Sequence, residues 1–316
     1  MDIVGIGSPC IDCLVNVDRV PVGNGGARMH ANSWQGGGKV ATAMVAAARL
    51  GASVGMVGIL AEDTFGRFCR QDFVRHGIDV SRLLVDPAGY TSFSVPISEL
   101  ETGDRNIIYR PGTTRHLAVA DLDRDYLCAA RYLHLEHAGE VTLQAARWVR
   151  EAGGMVGFDV EWLYPELEAM TPEIDVYIAS EDCYRAQHGR STDYEAACRA
   201  VQARGPRIAV YTLGPGGSVG VADDLYFEAP GLAIRPVDTT GAGDVYHGAF
   251  LYGLAQGWEA PYVARFSNVV AAIKCLRIGG RAGLPDAALA LRALEAGAIT
   301  ADLPGLAELD ARVEFY

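Results

Sequence analysis

The residues of this chain best suited to chemistry lie in Pro236–Phe250, which reads PVDTTGAGDVYHGAF. Gly241-Ala242-Gly243 form a turn of small residues, and glycine reaches positive φ at little cost, so the backbone there passes close to a ligand. The residues that follow predict a helix through Ala249, Phe250, Leu251 and Leu254. Its first N–H groups lack intrahelical partners, and the positive end of the helix dipole lies behind them. Such a helix start binds an anion. Asp244 stands beside it, where a carboxylate repels an anion unless it has a task. The fitting task is accepting the proton of a hydroxyl that attacks a phosphate. The competing reading is an N-capping Asp244 on a tight turn.

Three further stretches have donor or acceptor groups at useful places. Gln35-Gly36-Gly37-Gly38-Lys39 opens a helix with exposed N–H groups, and Asp12 falls near it; carboxylate oxygens and amides together suit sugar hydroxyls. A glycine turn demanded by close helix–sheet packing explains the same run equally well. Thr212-Leu213-Gly214-Pro215-Gly216-Gly217 ends a strand and lets a nucleotide lie against backbone, or is an ordinary β-turn. Ser180-Glu181-Asp182-Cys183 offers two acids at a helix start, as a metal-associated pair or a solvated cap. His134 and His137 around Glu136 lack the helical spacing of a zinc motif, and His247, one turn after Asp244, reads as a packed or capping histidine. Gly5-Ile6-Gly7-Ser8 lacks the third glycine of a dinucleotide turn, which argues against a dehydrogenase.

The extended DTTGAGD string resembles the C-terminal signature of the ribokinase-like (PfkB) carbohydrate kinases, and GGGKVATAMVAAARLG resembles that family's N-terminal signature. The resemblance implies an ATP-dependent sugar kinase with Mg²⁺, a three-layer α/β/α sandwich with a mostly parallel sheet, and a small β lid that often pairs subunits into a homodimer. By matching position it implies Asp244 as the base, with Gly241, Ala242 and Gly243 as the anion hole. Sugar contacts would come from Asp12, Gly37, Gly38, Lys39 and Thr42, and Thr42 replaces an asparagine of ribokinases, which points away from ribose. The nucleotide would meet Thr212, Gly214, Gly217 and Asn268. Glu181 is the candidate for the magnesium surroundings, where Cys183 replaces a family glutamate. Asp238 and Thr240 match positions that hold a monovalent cation, so K⁺ is an expected cofactor, with the Arg277–Gly283 loop supplying further carbonyls. Glu136 lies where some members place a carboxylate near magnesium or substrate.

The segments VDTTGAGDVYHGA and AAIKCLRIGGRAGLPD look closest to the sulfofructose kinase branch, and Tyr109-Arg110 resembles the pair with which 2-keto-3-deoxygluconate kinases meet an acid sugar. Where the sulfofructose branch is expected to carry its sulfonate-binding arginine, this chain has Glu136-His137. The reading stops at a hexose-like or keto-sugar kinase; a nucleoside kinase and a non-catalytic sugar or nucleotide sensor stay open.

The elements needed to position these groups are legible as repeated strand–helix units. Apolar runs at 2–7, 53–59, 131–135, 155–159, 174–178 and 207–213 predict buried strands. Helices are predicted over 40–50, 64–76, 140–151, 261–276 and 285–296, several ending at glycine. The pattern implies a parallel sheet covered on both faces. Segments at about 11–34 and 90–112 break the rhythm and predict the lid within a single 1–316 domain; the second contains a hairpin turning at 101–104. Val219–Val221 and Leu225–Phe227 predict another hairpin, and Leu303–Tyr316 an acidic tail. A net charge of −12 argues against nucleic acid or an anionic membrane as partner. Seven cysteines without metal spacing point to free thiols and a reducing, cytoplasmic setting, and the chain shows neither a leader pattern nor a twenty-residue apolar run.

Overall fold

A computed structural model describes residues 1–101 and 105–309. The chain runs β1 (Ile3–Ile6), β2 (Cys10–Val17), β3 (Met29–Gly37), α1 (Lys39–Leu50), β4 (Val54–Ala61), α2 (Thr64–Arg75), β5 (Asp79–Asp86), β6 (Ser92–Glu99) and β7 (Arg105–Arg110). It continues through α3 (Arg124–Cys128), β8 (Tyr132–Leu135), α4 (Glu140–Glu151), β9 (Met155–Val160), α5 (Pro165–Met170), β10 (Val176–Ser180), α6 (Glu181–His188) and α7 (Tyr194–Gln202). It ends with β11 (Ile208–Thr212), β12 (Gly217–Ala222), β13 (Leu225–Pro230), α8 (Ala242–Ala255), α9 (Ala260–Lys274) and α10 (Ala287–Ala296).

The main sheet has the order β13-β12-β11-β10-β9-β8-β1-β4-β5, parallel from β11 to β5 and antiparallel at β12 and β13. Strand side chains alternate between its faces, and β1 shows the consequence. Ile3 joins a core with α1, α2 and α8, whereas Val4 and Ile6 join one with α4, α5 and α7. These two cores make the three-layer α/β/α sandwich. Helix α1 is almost entirely small and apolar because it is buried on nearly every side, from Val40 to Ala47. It also touches α8 at backbone distance: a Cβ on Gly248 would overlap the Ala43 carbonyl.

A second sheet, β3-β2-β6-β7, stands apart from the first, its strands overlapping the two segments that break the strand–helix rhythm. Strand β3 runs further than the glycines suggest. Gln35, Gly36 and Gly37 pair with Asp12, Ile11 and Cys10 as regular antiparallel strand, and the helix begins only at Lys39. Strand β5, absent from the sequence reading, is an edge strand with only Leu83 fully buried. Most of the proposed turn at 101–104 and the last part of the tail, 310–316, lie outside the described residues. Leu303, Leu306 and Leu309 pack against α9 and α10. No helix among the described residues is long and apolar enough to cross a membrane.

The parallel strands deliver their C-terminal ends to one rim. Ser8 follows β1, Glu136 follows β8, Asp159 lies at the end of β9 and Thr212 closes β11. In open α/β sheets this is the edge where ligands bind.

Candidate active site

Gly241 begins α8 with φ 74°, a left-handed conformation that favours glycine, and a Cβ there would lie 2.9 Å from Gly280 Cα. Gly243, by contrast, faces open space and lines a cavity with Ala242 and Thr239. Asp244 sits in the first helical turn. Burial pushes its carboxyl up to about 7; the negative charge of Asp159 pushes the same way, while His247 and Lys39 oppose it. A carboxyl tuned near neutrality beside a helix start is suited to proton exchange at physiological pH.

The groups setting that value form a compact polar cluster. His247 Nε2 lies 3.3 Å from Asp159 Oδ1. Burial alone would raise the Asp159 carboxyl, but His247 holds it down at about 2. The His247 ring lies against His134, whose burial lowers its own value to about 3, so His134 is neutral. His247 is therefore packed, as its type and position suggest, yet it also carries the charge balance beneath Asp244. Lys39 pairs with Glu161 and lies over the Trp162 ring at 4.8 Å. Glu136 accepts N–H bonds from Ser8 (2.9 Å) and Val40 (3.2 Å), tying the end of β1 to the start of α1. Asp159 and Glu161 carry no local signal as site residues: Asp159 is placed by His247 on α8 and Glu161 by Lys39, 122 positions away along the chain.

On the side expected to take a sugar, Asp12 accepts hydrogen bonds from the Ser94 hydroxyl (2.6 Å) and the Cys10 thiol (3.4 Å). Burial nevertheless raises its carboxyl above the ordinary range. The three glycines have separate physical reasons. Gly36 leaves room for the Arg281 guanidinium, Gly37 for the Asp12 carboxylate, and Gly38 takes φ 94° beneath the Ser8 carbonyl. Arg281 is fully buried, donating to Asp72 at 2.6 Å, the Gly37 carbonyl at 3.0 Å and the Thr42 hydroxyl at 3.4 Å. Thr42 is thus engaged by Arg281 and lies beside Gly241, joining the two glycine stretches.

A cavity of about 530 Å³ opens between the end of β1, the β6–β7 sheet and α4. Tyr109 lines it together with Thr91, Arg115, His116 and His137. The expected anion contact, Arg110, lies instead 5.9 Å from the Tyr90 ring centre. Arg115, held by Asp121, stands in the cavity wall.

A second cavity, of about 540 Å³, brings Thr212, Gly214, Gly217 and Asn268 together with Ala242 and Gly243. Its walls are mostly small apolar residues with a few polar groups, the character of a nucleotide cleft. Gly217 takes φ 92° where any Cβ would overlap the Ala229 carbonyl. Asn268 anchors the far wall, donating to Ala229 at 2.8 Å. Glu181 pairs with Arg185 one turn along α6, whose start is capped by Ser180. Asp238 accepts from Thr240 N (2.9 Å), Thr240 Oγ1 (2.7 Å) and Gly279 N (2.8 Å). The Asp238 and Thr240 carbonyls both accept from the Lys274 ammonium, at 2.9 Å for Asp238.

Comparison with known proteins places this geometry. The model of the pfkB family carbohydrate kinases matches residues 1–287. The chain is 30% identical over 271 residues to the aminoimidazole riboside kinase of Salmonella typhimurium, covering 79% of this chain and 84% of that one. It is 29% identical to the 5-dehydro-2-deoxygluconokinase of Clostridium perfringens, over 75% of this chain and 77% of the relative. Among solved structures, the ribokinase of Arabidopsis thaliana complexed with ribose and ATP superposes with a TM-score of 0.80 at 22% identity, over 93% of this chain and 98% of that one. The ribokinase of Thermotoga maritima superposes at 0.79 and 24%, over 94% and 99%. The chain belongs to the pfkB family of carbohydrate kinases, phosphotransferases whose acceptor is a hydroxyl group.

Proposed function

We propose that the protein transfers the γ-phosphate of ATP to a hydroxyl of a hexose-like or keto-sugar, with Asp244 as the general base. The observation that carries this reading is the Asp244 carboxyl, pushed up to about 7 in the first turn of α8, beside the cleft that Gly243 lines. Asp244 takes the hydroxyl proton as the oxygen attacks the γ-phosphorus in line. The N–H groups of Gly241 and Gly243 stabilise charge on the transferring oxygens, a kind of contribution worth several kcal/mol, while the Ala242 N–H is held by the Thr239 carbonyl at 3.1 Å and shapes the turn. Among the described residues no group of three or more His, Cys, Asp or Glu is placed to hold a metal ion. Mg²⁺ carried in by the nucleotide would neutralise charge on its phosphates, with Glu181 the residue of this chain proposed for its surroundings. Thr212, Gly214, Gly217 and Asn268 form the nucleotide cleft, and Asp12, Gly37, Gly38, Lys39 and Thr42 the sugar side. The second sheet acts as the lid, with Tyr109 closing on the substrate.

Replacement Asp244→Asn tests the base. Turnover should fall by about 10³-fold or more while ATP binding, followed by calorimetry, stays within a few-fold of the parent. Parent-like turnover in this variant removes Asp244 from the mechanism.

A riboside acceptor is the second reading, favoured by the likeness to an aminoimidazole riboside kinase. ADP release across a panel of sugars, keto-acid sugars and ribosides separates the two.

The β7 edge of the small sheet exposes Ile107, Ile108 and Tyr109, with Met29 exposed on β3. Apolar groups on an open sheet edge invite cover. A second copy of the chain, meeting the first lid to lid, supplies it.

A further inference from the structure

The turn Pro236–Thr240 feeds directly into Gly241, so whatever fixes its carbonyls fixes the anion-binding helix start. The family resemblance places a monovalent cation against Asp238 and Thr240. The residues of this chain do not fit one. The Lys274 ammonium, reaching from the last turn of α9, donates to the carbonyl oxygens of both residues, and the side chain is wholly buried. Carbonyl dipoles stabilise an ammonium as they do a potassium ion, and two positive centres would compete for the same oxygens. Lys274 is also the one cationic residue in the otherwise small and apolar run Val269–Leu276. A buried ammonium is expensive unless its donors are satisfied, so its place among these carbonyls is a built feature of the fold.

We infer that Lys274 is a tethered stand-in for the monovalent cation, and that the protein works without K⁺. Lys274 is a positioning residue: it lines neither cavity, and acts by holding the Asp238 and Thr240 carbonyls so that Gly241 and Gly243 keep their N–H groups aimed at phosphate. Asp238 completes the clamp from the other side by accepting the Gly279 N–H. The activity consequence rests on the kinase reading above; the cation-binding consequence does not.

The test compares the parent protein, Lys274→Met and Lys274→Ala in tetramethylammonium buffer, then with KCl, NH₄Cl or NaCl added at constant ionic strength. Turnover and thermal melting are both recorded. The parent should show the same kcat/KM within about twofold, and the same melting temperature, in every salt. Lys274→Ala should lose at least tenfold in kcat/KM and recover most of it, saturably, with K⁺ or NH₄⁺ but not with tetramethylammonium. Its melting temperature should rise with the same ions and the same half-saturation. Stimulation of the parent by K⁺, or a variant whose loss no cation repairs, overturns the proposal. Should both variants fail to fold, the parent's response decides alone. A chain that phosphorylates no sugar or riboside, yet whose Lys274→Ala variant is stabilised by K⁺, sinks the kinase reading and keeps this one.

Discussion

Asp244 stands far from what its residue type alone would do. In an unfolded chain this carboxyl titrates near 3.8, and in the folded protein near 7. The folded state therefore holds the proton more tightly, and the stability linked to it is fully present below about pH 4 and lost as pH rises through 7. Asp244→Asn removes that loss. The variant should match the parent's melting temperature near pH 4 and exceed it by about 2–4 °C at pH 8, equivalent to about 1–2 kcal/mol once partial solvent access is allowed for. The parent's kcat/KM should climb with pH and level off above 7, because only the ionised carboxylate accepts a proton. A flat profile across pH 6–8 counts against Asp244 as the titrating base. This residue was legible in the sequence because an acid beside two glycines is chemically odd. Its tuning was not legible. Asp159, His247 and Lys39 act on it from three elements, and no local pattern announces that they meet.

At the scale of elements, the start of α8 is held by its contact with α1. Gly248 lies against the Ala43 carbonyl, which belongs to backbone and cannot move aside. Gly248→Ala should cost about 2–3 kcal/mol, measured by urea unfolding, and lower kcat through displacement of the helix start. Destabilisation under 1 kcal/mol would mean that the two helices slide apart easily. Most of these elements could be read from hydrophobic patterning: α4 has the boundaries expected, and β12–β13 form the expected hairpin. The failures share a cause. Strand β5 is an edge strand, so Ser81 and Arg82 interrupt the apolar run that marks an inner strand. Strand β3 continues through Gln35–Gly37 because β2 supplies its hydrogen bonds, whereas a glycine run read alone looks like a turn. The short helix α3 is fixed by its Asp123 cap, with too few residues to show a period. Arg281 and Asp72, 209 positions apart, show the same limit for contacts: a buried ion pair leaves no trace in either local sequence.

At the scale of the whole molecule, the proposed pairing of two small sheets through their exposed edges predicts a concentration-dependent dimer. Ile108→Asp, at a side chain 63% exposed in the single chain, should shift sedimentation from dimer toward monomer at micromolar concentration without lowering the melting temperature by more than about 2 °C. An unchanged sedimentation coefficient in both proteins would mean that the sheet edge stays uncovered. The route of the chain through that small sheet has a further consequence. Strand β2 leaves β1 after three residues, and β3 returns into α1 through Gly38, so the hairpin joining them begins beside Asp12 and ends at the triple glycine. On the proposed reading, exchanging this hairpin for that of a relative would transplant the groups that greet the acceptor molecule. If the small sheet is the cover that this reading makes it, cover and taste for substrate are inherited as one piece.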